Sequence, residues 1–170
     1  MNVVIANRQR ARKINARLLK EIAEALLADL KIGGAELGIN LVAAREMTLI
    51  NETFLKHEGS TDVITFDYAN EGRTGSPLPA DGAPGVTRPA LHGEIFVCVD
   101  EAVSQAKLFE TTWQSEVVRY LVHGILHLLG HDDCRAAARR KMKREENRRL
   151  AGLSKKFCLA QIGGASKLRV

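Results

Sequence analysis

The sequence has few cysteines and no long hydrophobic run, and each shortage excludes a class of protein. Its three cysteines, Cys98, Cys134 and Cys158, form no C-x-x-C pair, which excludes a zinc ribbon or a dithiol redox motif. No apolar stretch approaches the roughly 20 residues that cross a bilayer, and the short apolar patch near the start cannot serve as a secretory signal. We therefore expect a cytoplasmic protein with reduced thiols and no membrane partner.

Aromatic residues are also scarce, at 5% of the chain, whereas hydrophobic residues as a whole make up 45%. That hydrophobic content in 170 residues suits one compact domain with its own core. The scarcity of aromatic side chains argues against an extended platform on which nucleic-acid bases stack, so RNA recognition would rely mainly on the backbone.

Proline occurs four times, and all four residues lie within residues 69–92, together with several glycines. This composition cannot continue a ladder of strands, so residues 69–92 are predicted to form a long mobile loop. The loop is either a tolerated surface insertion or a flap that grips the substrate.

Hydrophobic periodicity predicts the remaining elements. Alternating or β-branched residues predict strands at residues 2–7, 36–43, 61–68 and 93–100. Helical spacing predicts helices at residues 12–30, from Met47 to Phe54, at 100–109 and at 113–129, followed by a basic helix. We predict one domain over residues 1–154 and a flexible C-terminal tail over residues 155–170.

Positive charge is concentrated in one segment of the chain. Residues 134–149 carry eight basic and two acidic side chains, a balance of +6, so the rest of the chain contributes −1 to the net charge of +5. A cationic helix suits a polyanion such as RNA, because each neutralised phosphate releases condensed counterions. The alternative is a solvated surface helix held by acid–base pairs at helical spacing.

Three of the five histidines lie in the stretch LVHGILHLLGHDDC, residues 121–134, which is otherwise apolar and typical of a buried helix. His123 and His127 are four residues apart, so their imidazoles project from one face and can hold one metal ion between them. Gly130 can adopt the left-handed conformation that ends a helix, so the chain can fold back and bring a third ligand from residues 131–133.

The alternative role for these histidines is hydrogen bonding in the core, which is usual for a single histidine in an apolar helix. Two histidines at helical spacing, followed by a third histidine and two carboxylates, favour a metal site instead. Three protein ligands and an open position are typical of catalytic zinc, whereas a structural site normally has a fourth protein ligand.

The histidine spacing also matches the H-E-x-x-H motif of zinc metallopeptidases, in which the glutamate is the general base. Gly124 occupies that position here. A peptidase would lack its proton acceptor, so a zinc metallopeptidase is the less favoured alternative.

The segment HGILHLLGHDD resembles the signature H-G-x-L-H-L-x-G-x-D-H of the YbeY-like single-strand-specific endoribonucleases of bacteria, which act in rRNA maturation and ribosome quality control. Residues 50–66 (INETFLKHEGSTDVITF) and 92–100 (HGEIFVCVD) resemble two further segments of that family. The resemblance covers roughly residues 1–150. It implies an α+β (mixed α/β) fold in a single domain, with a small, about four-stranded mixed sheet packed by helices. It also implies one zinc ion at the end of a central buried helix, and RNA bound across a positively charged groove.

This chain departs from the signature at the third ligand. Asp133 stands where the family usually has its final histidine. Two imidazoles with one carboxylate form a common catalytic zinc set, so Asp133 is the predicted third ligand and His131 is its rival. The change from nitrogen to oxygen shifts the site toward harder ions, so manganese or another divalent ion is an alternative to zinc.

A second departure concerns phosphate binding. Many relatives carry an arginine where this chain has Leu55, and the adjacent Lys56 can supply a charge but not a planar fork of donors. His57 is a further candidate, although a histidine in a loop is more often only exposed. Thr61 and Asp62 are expected to brace the start of a strand.

The resemblance leads to a hypothesis for the chemistry. A metal at this site would polarise a phosphodiester oxygen or lower the pKa of a water molecule. Lys56 is expected to act at the reacting phosphate and to bind RNA together with Arg135, Arg139 and Arg140 of the basic helix. Glu94 is the candidate carboxylate that orients a ligand or a water, unless it is an ordinary residue at the end of a strand.

The implied substrate is single-stranded rRNA of the small ribosomal subunit, not DNA. By analogy, ribosomal proteins and an assembly GTPase are the implied protein partners. A different class of function is a non-catalytic ribosome-assembly factor, in which the basic helix binds rRNA and the metal only holds the end of the buried helix.

Overall fold

Four strands form one mixed sheet in the structure, a computed structural model that describes residues 1–68 and 91–164. The strands are β1 (Asn2–Asn7), β2 (Ala35–Val42), β3 (Val63–Asp67) and β4 (Leu91–Cys98). Their order in the sheet is β1-β2-β4-β3. β1, β2 and β4 are parallel, and β3 is antiparallel to β4. The predicted mixed fold with a small four-stranded sheet is therefore confirmed.

Five helices complete the fold: α1 (Ala16–Asp29), α2 (Ala44–Ile50), α3 (Val99–Leu108), α4 (Trp113–Leu128) and α5 (Ala136–Lys156). A π-helical turn, Asn51–Leu55, continues α2, and a 3-10 helix, Leu159–Gly163, follows α5. α1 begins later than predicted because the side chain of Asn15 accepts a hydrogen bond from the amide of Leu18 at 3.1 Å and so caps the helix. No helix of the described chain has the length and hydrophobicity to cross a membrane.

The two faces of the sheet are covered by different helices. α1 and α4 cover one face, where Ile39 of β2 and Ile95 of β4 are buried in the main core. α2 covers part of the other face, where Phe96 of β4 packs in a smaller core with Met47. Because successive side chains of a strand point to opposite faces, Gly93 and Ile95 lie on the α4 side of β4, and residues 94 and 96 lie on the α2 side.

Two glycines allow α4 to lie very close to the sheet. A Cβ at Gly124 of α4 would lie 2.8 Å from Cγ2 of Ile95 and 3.2 Å from Cγ2 of Val63. A Cβ at Gly93 of β4 would lie 3.1 Å from Cδ2 of Leu128 of α4 and 2.4 Å from the carbonyl oxygen of Phe66 of β3. The helix that carries the predicted ligands is therefore fixed against β3 and β4 at short range.

The ranges predicted as loop and tail overlap regular structure at their described ends. Residues 69–90 of the loop lie outside the described residues, and residues 91 and 92 belong to β4. In the range predicted as the tail, α5 continues to Lys156 and a 3-10 helix occupies Leu159–Gly163. Ile162 is fully buried in the main core, and its carbonyl accepts a hydrogen bond from the amide of Asn15 at 2.8 Å. Residues 165–170 lie outside the described residues.

The close contact at Gly124 leads to a stability prediction. Gly124→Ala should lower the free energy of unfolding by about 1–3 kcal/mol, because the new methyl group must displace Ile95 or push α4 from the sheet. Gly152→Ala is the matched control, since this helical glycine of α5 has open space at its Cβ position and should gain up to about 1 kcal/mol from helix propensity. Urea denaturation of both variants checks this. Equal changes in the free energy of unfolding of the two variants would contradict the packing argument.

Candidate metal centre

The predicted turn at the end of α4 is present. Gly130 has a φ of 84°, in the left-handed region. Its amide donates to the carbonyl of His127 at 2.9 Å, and the amide of His131 donates to the carbonyl of Leu126 at 3.0 Å. This is the Schellman pattern of helix termination, and it reverses the chain toward the histidine side of α4.

The turn brings three potential ligand atoms together. Nε2 of His123 and Nε2 of His127 are 3.0 Å apart, and each lies 3.9 Å from Oδ2 of Asp133. Three atoms with these separations share a centre about 2.1 Å from each of them, which is the usual distance from zinc to nitrogen or carboxylate oxygen. No fourth ligand from the described chain joins this group of three. The donor set and its spacing therefore fit a divalent metal with an open position.

Hydrogen bonds fix the orientation of both rings. Nδ1 of His123 lies 3.2 Å from Oε2 of Glu146, and Nδ1 of His127 lies 3.1 Å from the carbonyl oxygen of His131. Each acceptor takes the proton on Nδ1, so the lone pair of each ring lies on Nε2 and faces the site. A backbone carbonyl and a carboxylate thus prepare the two imidazoles as ligands.

Glu146 of α5 is the centre of a buried ionic network. Its Oε1 accepts hydrogen bonds from Nη1 of Arg119 at 2.7 Å and from Nζ of Lys143 at 3.0 Å. Burial alone would raise the pKa of Glu146, but hydrogen bonds from His123, Arg119 and Lys143 outweigh it and lower the pKa to about 2. The carboxylate is therefore ionised at neutral pH, which strengthens its hold on His123.

Sequence reasoning missed Glu146, although a signal was present. The buried residues of α5 are Met142, Glu146, Leu150 and Leu153, which recur at steps of three or four. Glu146 is therefore a charged residue on an apolar stripe, and such a residue normally needs a partner. The dominant basic charge of residues 134–149 concealed this position.

The two rival third ligands lie in different places. Asp133 joins the two histidines in the group that could hold a metal ion, whereas His131 contributes its backbone carbonyl to His127 and is absent from that group. His131 instead lines a small separate cavity with Asp132 and Lys141.

Glu94 and Lys56, the predicted catalytic side chains, are not brought to the histidines. Glu94 lies on the α2 side of β4, the face opposite α4, where its Oε2 accepts from the hydroxyl of Tyr68 at 3.5 Å. Lys56 is exposed, and its backbone is in the left-handed region with a φ of 59°. Its ammonium donates a hydrogen bond to the carbonyl of Thr53 at 2.8 Å. Neither residue lines the groove beside the metal ligands. Leu55, at the family's arginine position, is also exposed.

A groove of about 760 Å³ runs along α4 beside His123 and Asp133. Arg139 and Lys143 of α5 line it, and Nε of Arg139 donates to the carbonyl of Asp133 at 3.1 Å. Of the three predicted RNA-binding arginines, Arg139 alone lines the groove. Arg135 precedes α5, Arg140 lies on that helix, and both are exposed outside the groove.

Similarity to known proteins agrees with these features. The family model described as "Endoribonuclease YbeY" matches residues 4–154. The chain is 39% identical over 127 residues to the endoribonuclease YbeY of Myxococcus xanthus, and 38% identical over 101 residues to that of Salinibacter ruber. These matches cover 75% and 59% of this chain, but only 40% and 59% of the two relatives. The YbeY of Syntrophotalea carbinolica is 30% identical over 155 residues, which cover 90% of this chain and 96% of that protein.

Among solved structures, the solution structure of TM1509 from Thermotoga maritima has the same fold. It superposes with a TM-score of 0.62 at 22% sequence identity, and the match covers 99% of both chains. This structural similarity supports the fold alone, whereas membership of the family is shown by the sequence matches. From its residue 4 through most of α5, this chain belongs to the YbeY family.

Proposed function

We propose that this protein is a zinc-dependent endoribonuclease that cleaves single-stranded RNA, with rRNA of the small ribosomal subunit as its substrate. The observation that carries the proposal is the meeting of His123, His127 and Asp133 in a groove that basic residues of α5 line on one side. Relatives named endoribonuclease YbeY support the class of reaction.

The chain's own groups supply binding and orientation. His123, His127 and Asp133 would hold the ion, which when bound would act as a Lewis acid toward the phosphodiester. Arg139 and Lys143 attract the RNA backbone and lie where negative charge develops on the phosphate. Glu146 fixes His123 and is itself held by Lys143, so the basic helix positions the ligand as well as the substrate. Manganese is the alternative ion because one ligand is a carboxylate.

Two other functions are less well supported. A non-catalytic assembly factor would use the metal structurally, but a structural site normally has a fourth protein ligand, and none joins the three within residues 1–68 and 91–164. A metallopeptidase would need a general base at residue 124, where a Cβ already conflicts with Ile95. Ribosomal proteins and an assembly GTPase are proposed partners that rest on family resemblance alone.

Removal of a ligand should abolish tight zinc binding. His127→Ala and Asp133→Ala should each reduce zinc affinity by more than the roughly 10- to 100-fold that is typical of losing an outer partner of a ligand. His131→Ala is the matched control, because it keeps the backbone carbonyl that holds His127. Competition with a chromogenic chelator measures all three affinities. A larger loss in His131→Ala than in Asp133→Ala would reverse the assignment of the third ligand.

Glu146 should act as a positioning residue for His123. Glu146→Gln should reduce zinc affinity by about 10- to 100-fold, because an amide holds the imidazole less strongly than a carboxylate. Glu145→Gln is the control, since the neighbouring Glu145 pairs with Arg148 and Arg149 instead. Zinc titration and denaturation of the zinc-free variants separate the effect on the metal from the effect on stability. Equal zinc affinities in both variants would contradict this role.

RNA cleavage tests the proposed function directly. The zinc-loaded protein should cleave single-stranded rRNA, and the double variant His123→Ala, His127→Ala should not. Arg139→Ala should weaken RNA binding, because Arg139 lines the groove, and it should reduce the slope of log affinity against log salt by about 0.7 if the side chain contacts one phosphate.

Arg148→Ala is the matched control for the basic helix, because Arg148 already pairs with Glu145 and lies outside the groove. Equal cleavage by the wild type and the double histidine variant, after removal of contaminating nucleases, would exclude the metal-centred reaction. Binding of RNA by both without cleavage would favour the assembly factor.

A further inference from the structure

The groove continues past the metal ligands into a part that the proposed cleavage reaction does not use. Tyr120 lies one helical turn before His123 on the same side of α4, about 4.5 Å along the helix axis. Asp62 and Glu101, which act on Tyr120 electrostatically, line the same groove, as do Gln105 and Phe109 of the α3 side. We call the part of the groove lined by these five residues the Tyr120 compartment.

The hydroxyl of Tyr120 is buried without a hydrogen bond. Within residues 1–68 and 91–164 it is the one buried side-chain polar atom that lacks a partner, and Tyr120 as a whole is 4% exposed. Burial and the nearby carboxylates of Asp62, Glu116 and Glu101 raise its pKa, so the hydroxyl keeps its proton. A buried donor with no acceptor carries a free-energy cost that a ligand can remove.

The three carboxylates near Tyr120 differ in whether they already have a partner. Glu116 pairs with Nε of Arg119 at 3.4 Å and accepts a hydrogen bond from Thr111 at 2.7 Å. Asp62 and Glu101 have no ion pair within the described part of the chain, although Oδ1 of Asp62 accepts from the amide of Val63 at 2.9 Å. Their negative charge disfavours a phosphate here, in contrast to the side of the groove lined by Arg139 and Lys143.

Phe109 gives the compartment an exposed aromatic wall. It follows α3 directly, is 64% exposed and lines the groove. An exposed aromatic ring offers a stacking surface to a single-stranded base, and base stacking is independent of base identity. The compartment therefore combines one stacking surface, one unpaired hydroxyl donor and two acceptor carboxylates.

We propose that the Tyr120 compartment binds a nucleobase of the RNA next to the phosphate at the metal ligands, and that it prefers a base with an exocyclic amino group over uracil. The inference rests on the proposed function and adds base selectivity to it. Adenine, cytosine and guanine can donate amino hydrogens to Asp62 or Glu101 and accept from the Tyr120 hydroxyl. Uracil has no amino group: its single N–H, at N3, can donate to one carboxylate, and the carbonyl oxygens on both sides of it are repelled by the other.

Titration with short RNA tests the compartment without cleavage. Zinc-loaded protein is mixed with cleavage-resistant 2′-O-methyl phosphorothioate forms of hexacytidylate or hexauridylate, which differ only at the base, and amide signals are followed by NMR. Cytidylate should bind at least about fivefold more tightly and shift the signals of Asp62, Gln105 and Phe109. Equal affinity for both ligands, or shifts confined to α5, would overturn the inference even where cleavage is observed.

Conservative variants test the named groups. Tyr120→Phe should reduce the preference for cytidylate by about two- to tenfold, because one hydrogen bond is lost. Tyr68→Phe is the matched control, since it removes the hydroxyl of the other tyrosine on the opposite face of the sheet. Phe109→Ala should reduce the affinity for both ligands by about fivefold or more and leave the ratio of the two affinities unchanged. An unchanged preference in Tyr120→Phe would refute the assignment of the hydroxyl.

Sequencing of cleavage products from a single-stranded RNA pool separates the two proposals. Depletion of uracil at one position beside the cut, relieved in Tyr120→Phe but not in Tyr68→Phe, supports the compartment. Cleavage with no base preference at any position refutes the compartment and leaves the nuclease intact. Absence of cleavage refutes the proposed function, and the titration with cytidylate and uridylate then still decides whether the compartment binds a base.

Discussion

At the end of α4, two backbone hydrogen bonds reverse the chain at Gly130, and the geometry of the metal centre depends on this reversal. The turn places Asp133 opposite the two histidines, and it presents the carbonyl of His131 to Nδ1 of His127. One local structure therefore supplies a ligand and orients another. A residue with a Cβ would be strained at a φ of 84°, so glycine is the residue expected at this position.

A second support for the position of His123 comes from α5, through Glu146, which is 23 residues away in the sequence. Glu146 carries a negative charge into a buried stripe, and this is tolerated because Arg119, Lys143 and His123 surround its carboxylate. A buried charge with several donors holds its neighbours in one arrangement, since the loss of any donor leaves the charge poorly compensated. The same helix presents Arg139 to the groove, so the placement of α5 determines both the position of this basic side chain and the orientation of His123.

Local patterns in the sequence predicted the parts of the site that local geometry determines. The spacing of His123 and His127, and the glycine that follows α4, depend only on helical periodicity and on backbone freedom, and both predictions are confirmed. Glu94 was predicted near the metal, but the face it occupies depends on which side of the sheet α4 covers. Alternation along a strand separates the two faces without identifying them, so the sequence alone left this choice open.

Longer-range packing accounts for the other differences. Glu146 is 23 residues from the histidine it holds, and no local periodicity connects the two positions. Ile162 falls within residues 155–170, which were predicted to form a flexible tail, yet its side chain is fully buried in the main core. Gly124 was interpreted as a missing general base, whereas the structure gives a reason for glycine itself: Ile95 and Val63 leave no space for a side chain.

The charges of the groove are of two signs, and this would orient RNA if the strand binds as proposed. The lining includes Arg139 and Lys143 of α5, and it also includes Glu101 of α3 and Asp62, which precedes β3. A nucleotide is itself divided in this way, since its phosphate is anionic and its base offers neutral donors and acceptors. In the proposed complex, electrostatic energy would therefore be lowest with the backbone along α5 and the base toward Asp62 and Glu101. Such an orientation would leave the phosphate for the side of the groove that His123 and Asp133 line with Arg139.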